Sequence, residues 1–440
     1  MTHQLQNLRN QAAKLRRLSQ PYFFPYTEDN GWQFLGLLVS LLFCVAGIVL
    51  FLVTGLMNGL SWLFPELSGQ YLGGVQSSLA MLWSRGWGAG ISALFVLGAV
   101  VFASVRGQLR HRRWLPWLFL GLIILMLLSV NGINAGITFL ARDLTNALIA
   151  RDGDASYRNL WIYGACFAVA LPIRSLQFYF TQKLGLFWRE WLSLSLVDDY
   201  LRDRAYYVLN PNDEAATNVD NPDQRISEDV RDFTAQALGF ALNIFDSILT
   251  FSLNILILYS VSEGLTFALL AYATGVSVLM IVAGRKLVRL NNFQLRFEAD
   301  YRYGLVRVRD NAESIAFYAG EQQEAKEVTR RLATVVENFN LLIVWEVLLR
   351  VLQRSSIYAS NFIPYLILAA PILAGEMDYG GFAQANVAYN LVEGSLFFII
   401  YNIEALARFS ASINRLEGFQ SNISNLDPEE WSDYVPRIVP

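Results

Sequence analysis

Charge is scarce in this sequence: only 16% of its 440 residues are Asp, Glu, Lys or Arg, where soluble chains carry about 25%. The deficit is concentrated in uncharged runs such as residues 32–62 and 114–140, longer than the ~20 residues that cross a bilayer core. That excludes a soluble multi-domain protein. Cysteine is nearly absent, and Cys44 and Cys166 both lie in apolar stretches, which leaves no disulfide framework and no thiol nucleophile. The two histidines, His3 and His111, stand in basic polar segments and make neither a metal pair nor a Ser/His arrangement. No Gly-x-x-x-x-Gly-Lys-Ser/Thr occurs, so this chain holds no phosphate cradle of that kind. A net charge of −3 and a pI near 5.6 lack the basic excess of a nucleic-acid-binding protein. What is present is 54% apolar residue content with a mean hydropathy of +0.34. An all-α integral membrane protein is expected, with no catalytic constellation, no metal and no cofactor.

Windows of spanning length give about eight transmembrane helices, near residues 33–60, 87–104, 115–140, 159–182, 236–260, 264–284, 356–375 and 386–408. Cations gather in residues 9–17, 106–113 and 285–354, which share one side if every span crosses. Positive-inside reasoning then places both termini in the cytoplasm. Residues 142–158 fit less well, with Arg142, Arg151 and Arg158 on the outer side beside Asp143, Asp152 and Asp154. At the N-terminus, which is too polar for a cleaved signal, Leu5, Leu8, Ala12, Leu15 and Leu18 recur at helical spacing among Arg9, Lys14, Arg16 and Arg17. This is either a helix lying on anionic lipid or a basic tail that fixes topology.

Two inner connections, residues 183–235 and 285–355, are long and mix charges with Leu, Val, Phe and Tyr. The spans are therefore expected to continue beyond the bilayer as helical extensions. The domain organisation that follows is a basic interfacial helix over 1–31, two extra spans over 32–114, a six-helix membrane domain over 115–421 and a short tail over 422–440. The tail is too short for a nucleotide-binding domain, and none is expected in this chain.

Each long connection carries a motif. The first reads Asn221-Pro222-Asp223-Gln224-Arg225-Ile226-Ser227-Glu228-Asp229. Asn-Pro-Asp is a turn former, Asp223 is placed to cap the helix that follows, and Glu228 and Asp229 fall in its first turns. The second reads Glu313-Ser314-Ile315-Ala316-Phe317-Tyr318-Ala319-Gly320-Glu321, followed by Glu324. Alone, the two are a solvated helix start and an acidic amphipathic helix, whose charges contribute under ~1 kcal/mol to folding.

Together, these motifs resemble the NPDQR and EEIAFY signatures of subfamily D ABC transporters and their bacterial SbmA/BacA-like relatives. Asn134-Ala135, Arg142-Asp143-Leu144, Ala147-Leu148 and 415–419 (Arg-Leu-Glu-Gly-Phe) extend the resemblance over most of the chain. It implies that the last six spans take the type-1 ABC exporter arrangement. It also implies coupling roles for Asn221, Pro222, Asp223, Gln224, Arg225, Glu228 and Asp229 at one elbow. At the other elbow the implied residues are Glu313, Ala316, Phe317, Tyr318, Gly320 and Glu321. SbmA/BacA proteins lack an ATP-binding domain and are driven by protons, whereas the Ile315-Ala316-Phe317-Tyr318 form is more typical of ABC members. The leading expectation is a homodimer in a bacterial inner membrane that moves peptides or other bulky polar solutes with a proton gradient. The alternatives are the membrane part of an ABC transporter with a separate nucleotide-binding subunit or domain, and a non-transporting assembly protein.

Polar residues inside the spans mark the rest of the candidate site, because such stripes seldom face lipid. Asn131, Asn134 and Thr138 share one helix face, as do Asn243, Asp246 and Thr250. They line a cavity or bond neighbouring helices. Arg174, mid-span after Pro172, requires a partner, with Asp246 a candidate. Glu393 and Glu404 lie eleven residues apart, on one face of an unbroken helix. They are read either as a proton relay with Asp246 or, for Glu404, as a pair with Arg408 at i+4.

Overall fold

The computed structural model describes residues 2–24, 31–63, 80, 83–84, 86–105, 114–202, 205–208 and 221–424. Among them nearly every residue is helical and none is in a strand. The chain begins with α1 (Thr2–Phe23), α2 (Gly31–Leu63), α3 (Trp87–Val105), α4 (Trp114–Ile149) and α5 (Gly153–Leu201). After a helical turn at Pro222–Gln224 and a π-helical turn at Arg225–Asp229 come α6 (Val230–Val261), α7 (Glu263–Asp310) and α8 (Ala312–Phe317). The last are α9 (Glu321–Leu373), α10 (Tyr379–Tyr401) and α11 (Ile403–Ser424).

Among the described residues, six helices are long and apolar enough to cross a membrane: Trp32–Gly55, Trp114–Ile149, Gly153–Leu201, Pro222–Val261, Glu263–Asp310 and Glu321–Leu373. Of the other two expected spans, one is the shorter apolar helix Gly88–Ser104. The other, 386–408, falls on α10 and α11, which part at Asn402. The expected extensions are present. At 1.5 Å per residue, α5, α7 and α9, of 49, 48 and 53 residues, run roughly 70–80 Å against a hydrocarbon core of ~30 Å. The basic stretch 106–113 and the tail from residue 425 lie outside the described residues.

The chain divides into two compact units, one of residues 1–137, 154–250 and 402–440, the other of 138–153 and 251–401. In the first, helical spacing of three and four builds the core: Leu184, Trp188, Leu192 and Leu196 from α5 meet Val230, Phe233 and Ala237 from α6 and Phe409, Ile413 and Leu416 from α11. The end of α1 is built into this core, since Leu18, Tyr22, Phe23 and Phe24 are buried. Tyr22 stacks on Trp188 at 6.0 Å, and the Trp117 indole donates to the Phe23 carbonyl at 2.9 Å. The expectation of a helix resting on lipid is corrected at this end. Small residues let α2 and α3 approach closely: a Cβ on Gly98 would sit 2.7 Å from the Ser40 carbonyl.

In the second unit α7 and α9 form a tall antiparallel hairpin. The Asn338 amide donates to the Leu290 carbonyl at 3.1 Å and to Gln294 Oε1 at 2.8 Å. Farther along, the Tyr272 hydroxyl donates to the Ser356 carbonyl at 2.6 Å. At the other end Leu258, Leu265, Leu269 and Leu368 pack with Ala385, Tyr389 and Val392 of α10.

Candidate functional site

The first elbow is a clamp around one buried carboxylate. Asn221 caps the turn in the left-handed region (φ 50°) without a side-chain bond, and Pro222 supplies the first helical position. Among the described residues the Asp223 side chain does not make the expected capping bond: Asn221 occupies the cap position, and the Asp223 backbone carbonyl accepts from the Ser227 hydroxyl at 2.7 Å. The π turn that follows brings Arg225 Nη1 within 2.7 Å of Asp229 Oδ2. Arg415 of α11 grips the same carboxylate with Nη2 to Oδ1 at 2.7 Å and Nε to Oδ2 at 3.0 Å. Burial raises the Asp229 carboxyl, but hydrogen bonds from Arg415 and Arg225 and their charges outweigh it and hold it below the usual carboxylate range. Asp229 precedes the apolar stretch 236–260. Its side chain is only 6% exposed, so the expectation of a solvated helix start is corrected at Arg225 and Asp229. Gln224 and Glu228 do face solvent, 3.3 Å apart.

A second tie joins α11 to α1. Glu417 lies 3.1 Å from Lys14 and 3.7 Å from Arg17. Asn414 accepts from Gln11 at 3.0 Å and from Lys14 at 3.1 Å. Two cations read as facing lipid are thus engaged by protein.

The second elbow is the opposite kind of object. At the tip of the α7–α9 hairpin, α8 ends in a Schellman-type turn. Gly320 N–H reaches the Ile315 carbonyl at 2.9 Å, with Ala319 at φ 49°. Phe317 and Tyr318 are 82% and 80% exposed and meet edge to face at 5.2 Å. Glu313, Ala316 and Glu321 are exposed around them, and Gly320 is half-buried. Behind the tip Arg307 pairs with Glu324.

Among the intramembrane residues, the candidate pair Arg174 and Asp246 is brought together at 3.5 Å. Asn131 donates to Asp246 Oδ1 at 2.6 Å, and Thr250 donates to Asn131 Oδ1 at 2.6 Å. Asn131 of the first stripe and Asp246 and Thr250 of the second therefore bond between helices, while Asn134 is half-buried and Asn243 exposed. Glu393 sits in the second unit, where Ser360 Oγ and the Tyr389 hydroxyl share a 2.8 Å hydrogen bond. Its Oε1 is buried with no hydrogen-bond partner among the described residues. The eleven-residue register to Glu404 is interrupted at Asn402, and the side chains of Glu404 and Arg408 lie outside the described ones.

Sequence reasoning gave no role to a junction that also accounts for Arg142. Asp378 accepts from the Asn146 amide at 2.7 Å and from Gly381 N–H at 2.7 Å, while Arg142 stands 3.7 Å away. Asn146 in turn accepts from Gly380 N–H at 2.9 Å. A Cβ on Gly380 would fall 2.5 Å from the Arg142 carbonyl, where backbone cannot yield cheaply. Gly380→Ala is expected to cost on the order of 2 kcal/mol through overpacking, read as a lower thermal midpoint. Gly394→Ala, mid-helix with open space around its Cβ, should keep or slightly raise the midpoint, because alanine is the better helix former.

Comparison with known proteins supports the ABC side of the resemblance. The chain is 43% identical to an uncharacterized ABC transporter ATP-binding protein of Synechocystis sp., over 92% of this chain and 61% of that protein. It is 32% identical to the chloroplastic ABC transporter D family member 2 of Arabidopsis thaliana, over 72% of this chain and 45% of that protein. It is 28% identical to the lysosomal cobalamin transporter ABCD4 of Homo sapiens, over 58% of this chain and 42% of that protein. The chain spans about half the length of such relatives, and their names favour the ABC alternative over an SbmA/BacA-like carrier. The profile of ABC transporter transmembrane region 2 matches residues 108–373, and this multi-pass membrane chain belongs to that family.

Proposed function

We propose that this chain is the membrane-spanning part of a subfamily-D-like ABC transporter, working as a symmetric dimer and driven by ATPase domains that dock on its two elbows. The carrying observation is the tip of the α7–α9 hairpin, where Phe317 and Tyr318 stand in solvent on a stiff helical arm. Exposed aromatic residues are enriched among interface anchors, and a polar rim commonly surrounds them. The elbows and both termini face the cytoplasm of a bacterial cell by the positive-inside argument, and a symmetric dimer encloses a solute path that one such half leaves open.

A proton-coupled reading, with peptides or other bulky polar solutes as cargo, keeps one specific support in Glu393 Oε1, buried without a partner among the described residues. Liposomes separate the two. The chain combined with a nucleotide-binding domain should accumulate labelled solute only with ATP. Uptake driven by a pH gradient without ATP, abolished by a protonophore and by Glu393→Gln, would overturn the ATP-driven reading.

A further inference from the structure

The α7–α9 hairpin fixes the depth of two arginines. Leu290 lies opposite Asn338, and Tyr272 opposite Ser356. Eighteen residues separate these anchors on each helix, so the antiparallel register is uniform between them. Arg350 and Arg354 then fall opposite Val278 and Thr274, inside the apolar stretch 264–284 of α7 rather than in its basic inner extension. The two guanidiniums stand one turn apart and, with Gln353 and Ile357, line an open cavity of about 520 Å³. Both arginines are exposed, and neither has a hydrogen bond or ion pair among the described residues. Glu346, one turn before Arg350, makes no ion pair with it either.

Cations at this depth rarely face lipid; they line water-filled cavities and mark solute paths. An arginine pair at i,i+4 offers ten N–H donors on one face and no acceptor, a geometry suited to the oxygens of a carboxylate or phosphate. We propose that Arg350 and Arg354, with Gln353 beside them in the same lining, bind an oxyanion group of the transported solute. This assignment names the cargo chemistry for the transport reading above. The Ile357 side of the cavity suits an apolar portion of the same molecule.

The test is equilibrium binding of inorganic pyrophosphate to the purified full chain in nanodiscs of phosphatidylcholine alone, followed by calorimetry. It needs no ATP and no gradient, so its failure is distinct from failure of the transport reading. Saturable binding is expected, weakened by salt and reduced on the order of tenfold for each arginine lost in R350Q, R354Q and the double variant. The double variant with lysine at both positions keeps the charge but not the paired donors, so it should bind less tightly than wild type and more tightly than the double glutamine variant. All variants should keep the wild-type thermal midpoint, because both side chains are exposed. No saturable binding, or equal binding by the double glutamine variant, would overturn the proposal. Nanodiscs containing phosphatidylglycerol provide the second arm. Displacement of pyrophosphate by that lipid, lost in the double glutamine variant, would assign the pair to a lipid headgroup and overturn the solute assignment.

Discussion

Asp229→Ala is expected to destabilise the fold by about 3 kcal/mol, the low end of the range for breaking a buried ion pair. The variant leaves Arg225 (15% exposed) and Arg415 (43% exposed) facing a vacated centre, with two positive charges repelling where a carboxylate had attracted both. The hydration available to Arg415 keeps the loss from being larger. Arg415→Ala should cost less, near ~1 kcal/mol, because Arg225 still holds the carboxylate. A double-mutant cycle over Asp229 and Arg415, read by thermal unfolding in detergent, should give a coupling energy of roughly 1–3 kcal/mol. Asp229→Ala within ~0.5 kcal/mol of wild type would mean that the clamp does not hold the elbow.

The acid dependence follows from the depressed carboxyl. The folded state binds its proton later than the unfolded chain does, so the stabilisation is full above the unfolded value near ~3.9 and is lost as pH falls through the folded one. Wild type and Asp229→Asn should therefore differ at neutral pH and converge in acid. Arg225→Ala removes one arm of the clamp and is expected to lower both folding stability and transport. Glu228→Ala, at an exposed position, is expected to affect transport more than folding.

Local signals were legible in the sequence and distant ones were not. Apolar runs continuing into mixed charged helices gave α5, α7 and α9 their length, because periodicity is written in adjacent residues. Arg174 and Asp246 could be paired in advance, since an ion inside an apolar run must find its counter-ion and few were available. The clamp on Asp229 was hidden, because its second arginine is 186 residues away and nothing in the first motif announces a partner in α11. The Asn146–Asp378 bond spans 232 residues, and both residues read as ordinary loop polars. The docking of α1 was missed for a different reason. Its basic face suits anionic lipid as well as Glu417, and only the burial of Tyr22, Phe23 and Phe24 decides for protein at its end. The depth of Arg350 and Arg354 needed two hydrogen bonds between helices to set the register, because hydropathy alone began that span after them.

Replacing Phe317 and Tyr318 together by alanine should leave folding within ~0.5 kcal/mol of wild type, since both rings stand in solvent and touch chiefly each other. Its effect belongs to docking. Exposed aromatic anchors in interfaces commonly contribute 2 kcal/mol or more each on truncation, equivalent to roughly thirtyfold in affinity. A nucleotide-binding domain titrated onto the doubly substituted chain should bind at least about thirtyfold more weakly, and ATP-driven uptake should fall with it. Ala319→Gly is the matched control at the same tip. It relieves a non-glycine residue held at φ 49°, which should stabilise the turn by about 1 kcal/mol, and it leaves both rings in place. If docking depends on the aromatic pair, the control binds like wild type while the double variant does not. If the double variant binds and transports like wild type, the tip is not the coupling surface, and the acidic residues Glu313 and Glu321 become the groups to remove next.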